Sequence, residues 1–254
     1  MTYPKKSLGQ HFLQDENIAR KVVASLRGEG VREVIEIGAG KGILTKYLFK
    51  EKRYSVSAIE IDKNNVQFLR SAFPDHKDHI IHQDILQYEL KPVKNTYAVI
   101  GNFPYNMSSQ IFFWILKNRN QISEIVCMIQ KEVADRISSG PGTKSYGILS
   151  VLLQAYFDID YLFKVSPKVF YPRPKVYSAV IRLVRNKVNR LDCDEDLFVR
   201  VVKTCFNQRR KIIKNSIRKI YSGALPEDNR MQNRPEQLDI QQFVEMTRVL
   251  QAYI

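Results

Sequence analysis

Val34-Ile35-Glu36-Ile37 runs without a break into Gly38-Ala39-Gly40-Lys41-Gly42. An apolar run of this length reads as a buried strand, and Ile43 to Leu48 continues at helical spacing. Strand, glycine turn and helix in that order belong to an open α/β sheet, where glycines let the backbone approach a ligand at the carboxyl end of the strand. A dinucleotide fingerprint would read G-x-G-x-x-G. Here the third glycine comes one residue early and Ile43 holds its place. That disfavours a pyrophosphate cradle, and a nicotinamide enzyme with it. A tight turn cupping an amino-acid-like ligand fits better, beside the plainer reading of a turn with no ligand.

The next strand, Val56 to Asp62, ends in acid. Glu60 falls about 20 residues beyond Gly38, the distance at which an acid meets ribose hydroxyls in such sheets. It could instead cap the following helix, but Asp62 is better placed for that. Ile80-Ile81-His82-Gln83 leads to a further acid, Asp84. There an acceptor could take an amino group while Ile61 and Ile85 clasp a ring; Asp84 as a turn or cap residue is the alternative. His76, His79 and His82 would share a face only in a helix, which Pro74 and the strand-like Ile80-Ile81 oppose, so no metal is expected.

Tyr97 to Ile100 is another apolar run, and Gly101-Asn102-Phe103-Pro104-Tyr105-Asn106 follows it. Pro104 keeps Phe103 out of the helical region, so the chain leaves the strand extended. The Asn102 side-chain oxygen and nearby carbonyls then stand as acceptors beside the Tyr105 ring. That combination suits a planar group carrying an NH2, such as adenine. Asn, Pro and Ser108 are also turn formers, so the hexapeptide alone leaves a simple strand-to-helix turn open.

The rest of the chain supplies the frame. Asp15 starts a helix with Ile18, Val22, Val23 and Leu26 on one face. Ser108 is expected to cap a helix to Leu116. Glu124–Ile129, Tyr161–Val165 and Ser178–Val184 read as strands, Lys131–Ile137 and Gly147–Phe157 as helices. Phe170-Tyr171-Pro172-Arg173-Pro174-Lys175-Val176 is a proline-stiffened loop. It could clamp a nucleotide, or simply connect two strands with Phe170 packed inside. Residues 186–196 look like a linker, and Leu197–Tyr221 reads as one amphipathic helix with a basic face, followed by a helix near Ile240–Leu250. Two domains are therefore expected, 1–185 and 186–254. The 254 residues are 44% hydrophobic and carry a net charge of +14, which points to a polyanionic partner. Three scattered cysteines suit a reducing compartment. No apolar stretch is long enough for a membrane span, and the first residues lack the apolar core of a signal peptide.

Lys6-Ser7-Leu8-Gly9-Gln10-His11-Phe12-Leu13, Glu36-Ile37-Gly38-Ala39-Gly40-Lys41-Gly42, Asn102-Phe103-Pro104-Tyr105, Gln130-Lys131-Glu132-Val133-Ala134, Phe170 to Val176 and Phe206-Asn207-Gln208-Arg209-Arg210-Lys211 occur in that order. Together they resemble the KsgA-type ribosomal RNA adenine dimethyltransferases over nearly the whole chain. The resemblance implies a class I methyltransferase fold, with a Rossmann-like, seven-stranded, mostly parallel sheet and a small helical C-terminal domain that binds RNA or the ribosome. It implies S-adenosylmethionine as cofactor and a cytoplasmic monomer acting on 16S rRNA in the small ribosomal subunit. The product would be N6,N6-dimethyladenosine at two adjacent adenosines of the 3′-terminal hairpin, made late in subunit assembly. By position it implies cofactor contacts at His11, Leu13, Gly38, Gly40, Glu60, Ile61, Asp84, Ile85 and Asn102. Asn102 and the Pro104 carbonyl would hold the amino hydrogens of the target base, with Tyr105 and Phe170 sandwiching it. Phe103 departs from the aliphatic residue usual in the family. A large-subunit methyltransferase of the macrolide-resistance type and a non-catalytic assembly factor on the same fold are the alternatives.

Overall fold

A computed structural model describes residues 9–90 and 97–253. The basic lead-in through Lys6, Ser7 and Leu8 lies outside the described residues. Within the described part the chain divides into two compact units, one of residues 1–134 and 158–185, the other of 135–157 and 186–254. A junction thus falls at 185/186, where the linker is expected, and residues 135–157 group with the C-terminal residues.

The first unit is built on a seven-stranded sheet. Its strands are β2 (Glu33–Ile37), β3 (Ser55–Glu60), β4 (Ile80–His82), β5 (Tyr97–Asn102), β6 (Ile122–Gln130), β7 (Phe157–Val165) and β9 (Ser178–Arg185), in the order β4-β3-β2-β5-β6-β9-β7. The run from β4 to β6 is parallel, and β9 lies antiparallel to β6. Val34, Ile35, Ala58, Val99, Ile100, Ile125 and Val126 are fully buried. Parallel strands covered on both faces read as unbroken apolar runs, which is why these were visible in the sequence. A separate two-stranded ribbon, β1 (Phe12–Leu13) against β8 (Phe170–Tyr171), pairs Leu13 with Phe170.

Helices α1 (Glu16–Ala24), α2 (Thr45–Leu48), α3 (Lys63–Ala72) and α4 (Ser108–Lys117) belong to this unit. Asp15 caps α1 through the N–H groups of Asn17 and Ile18, and Asp62 caps α3 through Asn64. The start of α4 differs from expectation by one residue. Met107 holds the cap position, and the Ser108 hydroxyl turns back to donate to the Pro104 carbonyl at 3.1 Å. Pro74–His79 forms short 3-10 turns kinked at His76, whose ring stacks on Phe49 at 4.2 Å. Among the described residues no group of three or more metal-binding side chains assembles.

α5 (Lys131–Ile137) runs from the first unit into the second, which holds α6 (Ile148–Gln154), α7 (Glu195–Asn207), α8 (Ile213–Ile217) and α9 (Ile240–Gln251). The expected single helix from Leu197 to Tyr221 is broken after Asn207. Gln208 leaves helical geometry, and Arg209 donates to the Thr143 carbonyl and faces Glu236 at 3.7 Å. Tertiary contacts here outweigh the helical periodicity. No helix among the described residues is long and apolar enough to cross a membrane.

Candidate active site

β2 has β3 on one side and β5 on the other, so strand order reverses between β2 and β5. Ligands in open α/β sheets bind outside the carboxyl ends at such a switch point. Gly38 and Asn102 stand there, and a cavity of about 160 Å³ opens beside them. His11, Gly38, Gly40, Glu60, Ile61, Asp84, Ile85, Asn102, Pro104 and Tyr105 all line it. Residues far apart in sequence are thus brought to one place.

The glycine turn is held from below. Gly38, Gly40 and Gly42 have φ of 71°, 56° and 78°, a region that side chains disfavour. The Gly38 N–H donates to the Ile59 carbonyl at 2.9 Å, tying the turn to β3. A Cβ on Gly40 would sit 3.1 Å from the Phe12 ring, and one on Gly42 only 2.7 Å from Phe73. The glycines therefore let Phe12 and α3 close over the turn.

Glu60 does not reach freely into the crevice. One carboxylate oxygen accepts the Gly40 N–H and the other the Asp62 N–H, each at 2.8 Å. Burial pushes its carboxyl above the ordinary range, and those two N–H groups work against the shift. Asp84 caps a 3-10 turn through the Leu86 N–H at 2.9 Å, as its plainer reading has it, and it also lines the cavity. Ile61, 47% exposed, and buried Ile85 both line the same cavity.

Asn102 is the centre of the opposite wall. Its Nδ2 donates to the His11 carbonyl at 2.8 Å, while its Oδ1 is buried and has no hydrogen-bond partner. His11 Nδ1 in turn donates to the Pro172 carbonyl at 2.7 Å, and the His11 and Tyr105 rings lie 5.1 Å apart. The Tyr105 hydroxyl meets the Ser178 hydroxyl at 2.5 Å, and burial raises the phenol above its ordinary value, keeping it neutral. His11 of the strap at 9–13 thus braces Asn102, and Ser178 at the start of β9 braces Tyr105.

Three expected roles change. The Pro104 carbonyl already accepts the Met107 N–H and the Ser108 hydroxyl, so its lone pairs serve the start of α4. Phe170 is buried in the core with Leu13 and Val180, and neither it nor Leu13 lines the cavity. Their pairing across the β1–β8 ribbon explains this: both anchor the strap to the core.

Two residues passed over in the sequence matter. Glu36 is buried beneath the glycine turn, accepts the Thr45 hydroxyl at 2.6 Å, and has its carboxyl raised to about 7, mainly by burial. An acid inside an apolar strand was the available signal. Ser178, the partner of Tyr105, gave none. Chemically, the cavity offers backbone-oriented carboxylates on one side and an unpaired amide oxygen beside an aromatic ring on the other.

The family model described as "Ribosomal RNA adenine dimethylase" matches residues 1–252. Ribosomal RNA small subunit methyltransferase A of Parabacteroides distasonis is 48% identical over 254 residues, covering 99% of this chain and 95% of its own length. The protein of that name from Flavobacterium johnsoniae is 49% identical over 251 residues, covering 98% and 96%. A dimethyladenosine transferase from Plasmodium falciparum shares the fold with a TM-score of 0.73 at 19% identity, over 93% of this chain and 96% of its own. The 23S rRNA methyltransferase ErmE superposes with a TM-score of 0.67 at 26% identity, over 93% and 99%.

Proposed function

This chain belongs to the ribosomal RNA adenine dimethylase family, and on that premise we propose how its cavity carries out methylation of adenosine in small-subunit rRNA. The observation that carries the reading is the buried, unpartnered Oδ1 of Asn102 at the cavity wall. An acceptor kept dry and unpaired is costly, and a ligand with N–H groups to give would satisfy it.

The cofactor is S-adenosylmethionine, which when bound supplies a methyl group on a positively charged sulfur. The residues present fit it. Gly38 and Gly40 let the backbone approach its amino-acid end. Glu60, oriented by two N–H groups, is set to accept from ribose hydroxyls. Asp84 accepts from the adenine amine between Ile61 and Ile85. His11 closes the cavity from the strap.

The target adenine has an amino nitrogen whose lone pair is spread into its ring, so it is a weak nucleophile. Asn102 Oδ1 takes one amino hydrogen, and the Phe103 carbonyl, rather than that of Pro104, takes the other. Held this way the nitrogen pyramidalises and its lone pair turns toward the methyl group. Alignment of the two reactants supplies much of the rate. The base must leave its stack to reach Asn102, and Tyr105 gives it an aromatic wall. In the second unit, exposed Arg210, Lys211, Arg218 and Lys219 are suited to phosphate contacts.

The test is methyl transfer from labelled S-adenosylmethionine to purified, unmodified small ribosomal subunits, with product bases identified by mass. Dimethyladenosine in small-subunit RNA is expected. Label appearing only in large-subunit RNA would favour the resistance-type activity. Failure to bind labelled cofactor at equilibrium would leave an assembly factor.

A further inference from the structure

From Tyr161 to Ser178 the chain carries Lys164, Lys168, Arg173 and Lys175, and neither Asp nor Glu. All four cations are exposed. Two tyrosines in the same stretch are also unusually open: Tyr171 is 53% and Tyr177 46% exposed. Each adjoins a residue that braces the cavity. Tyr171 precedes Pro172, which accepts from His11, and Tyr177 precedes Ser178, which meets the Tyr105 hydroxyl. Lys164 Nζ sits 3.6 Å from the centroid of the Tyr177 ring. A cation over one face of an aromatic ring holds it in place.

We propose that Tyr171 and Tyr177, with Lys164, form a stacking platform for the unpaired nucleotides next to the target adenosine. The identity of that nucleotide rests on the methyltransferase reading above. Drawing one base out of its stack exposes the faces of its neighbours. Aromatic rings accept any base face, and nearby cations take the phosphates between. A stretch with four cations and no acid fits a polyanion rather than an ordinary protein surface. Phe170 lies inside this stretch but is buried, so the stacking faces are the open tyrosines on either side of the loop.

The full-length chain is titrated with a short single-stranded oligoribonucleotide, an adenosine flanked by uridines. Tyr177→Leu and Tyr171→Leu each weaken binding about tenfold, and Tyr177→Phe binds as wild type, because the ring rather than the hydroxyl stacks. Lys164→Gln lowers the slope of log K against log salt by about 0.7, the share of one phosphate contact on a single strand. With small ribosomal subunits, Tyr177→Leu raises KM and leaves kcat unchanged. Both positions are exposed, and an unaltered unfolding midpoint confirms folding. Unchanged affinity in the double Leu variant overturns the proposal, as does an equal loss in Tyr177→Phe. A wild-type chain that binds the oligonucleotide through its tyrosines yet methylates nothing refutes the methyltransferase reading and leaves the platform standing. Normal methylation with indifferent tyrosines does the reverse.

Discussion

Asn102→Ala separates the site's chemistry from its stability. In the folded chain Asn102 makes one side-chain hydrogen bond, from Nδ2 to the His11 carbonyl, and buries Oδ1 without a partner. Losing the bond costs about 1 kcal/mol, whereas removing a buried unsatisfied acceptor returns about 1–3 kcal/mol. The truncated side chain faces a cavity that already exists, so little new void is made. The sum lies between about 0 and 2 kcal/mol in favour of the variant, a midpoint unchanged or raised by roughly 2–8 °C in a chain of this size. The rate should move the other way. A donor or acceptor aimed at the reacting group in the transition state is worth about 10²–10³ in turnover. Single-turnover methyl transfer and thermal unfolding without ligand, measured on one preparation, read both quantities. A marked fall in unfolding midpoint, or transfer at the wild-type rate, would show that Oδ1 is not held in readiness for a substrate hydrogen.

Three further outcomes follow from the same packing. Burial keeps Glu36 protonated up to about pH 7, while in the unfolded chain it loses its proton near 4.5. Stability therefore falls as pH rises through that window and levels off above it, by a contribution on the order of 3 kcal/mol. Glu36→Gln should remove this slope and raise the urea midpoint at pH 8 but not at pH 4. A Cβ on Gly101 would lie 2.5 Å from the Ile37 carbonyl, forcing β2 and β5 apart, so Gly101→Ala should cost at least about 2 kcal/mol. Gly140→Ala, with nothing within 4 Å, is the neutral control in the same chemical unfolding assay. Phe170→Ala should behave as a core truncation, losing about 3–5 kcal/mol of stability. Wild-type stability with selective loss of RNA binding would return Phe170 to the base-binding role.

The parallel strands were legible because each buried strand is a largely apolar run, and at β2, β3, β4 and β5 a Gly, Glu, Asp or Asn stands at or just beyond its end. The α1 and α3 starts were legible because a cap is a local interaction between an Asp and N–H groups two or three residues on. What stayed hidden depends on partners distant in sequence. Pro104 could not be known to spend its carbonyl on α4 until Ser108 was seen one position inside the helix. Phe170 and Leu13 look like ligand-facing residues in sequence, yet their two-residue ribbon is too short to show an alternation. The break after Asn207 is set by Thr143 and Glu236, which no window around residue 208 contains.

The cavity also has to keep two opposite charges apart. RNA brings phosphates, while the proposed cofactor brings a cation, and a single-sign surface would serve only one of them. The structure divides the task by depth. Lys164, Lys168, Arg173 and Lys175 lie at the surface, where phosphates lose counterions on contact. Glu36 and Glu60 are buried under the glycine turn, and Asp84 is half-buried beside it. Backbone N–H groups fix Glu60 and Asp84 in orientation. Acids tied to the backbone cannot swing out to repel RNA, and Glu60 and Asp84 both line the cavity. Raising salt should therefore weaken RNA binding steeply and cofactor binding hardly at all. Equal salt slopes for the two, measured by equilibrium titration, would mean that the surface cations and the inner carboxylates act as one field and that this division by depth is wrong.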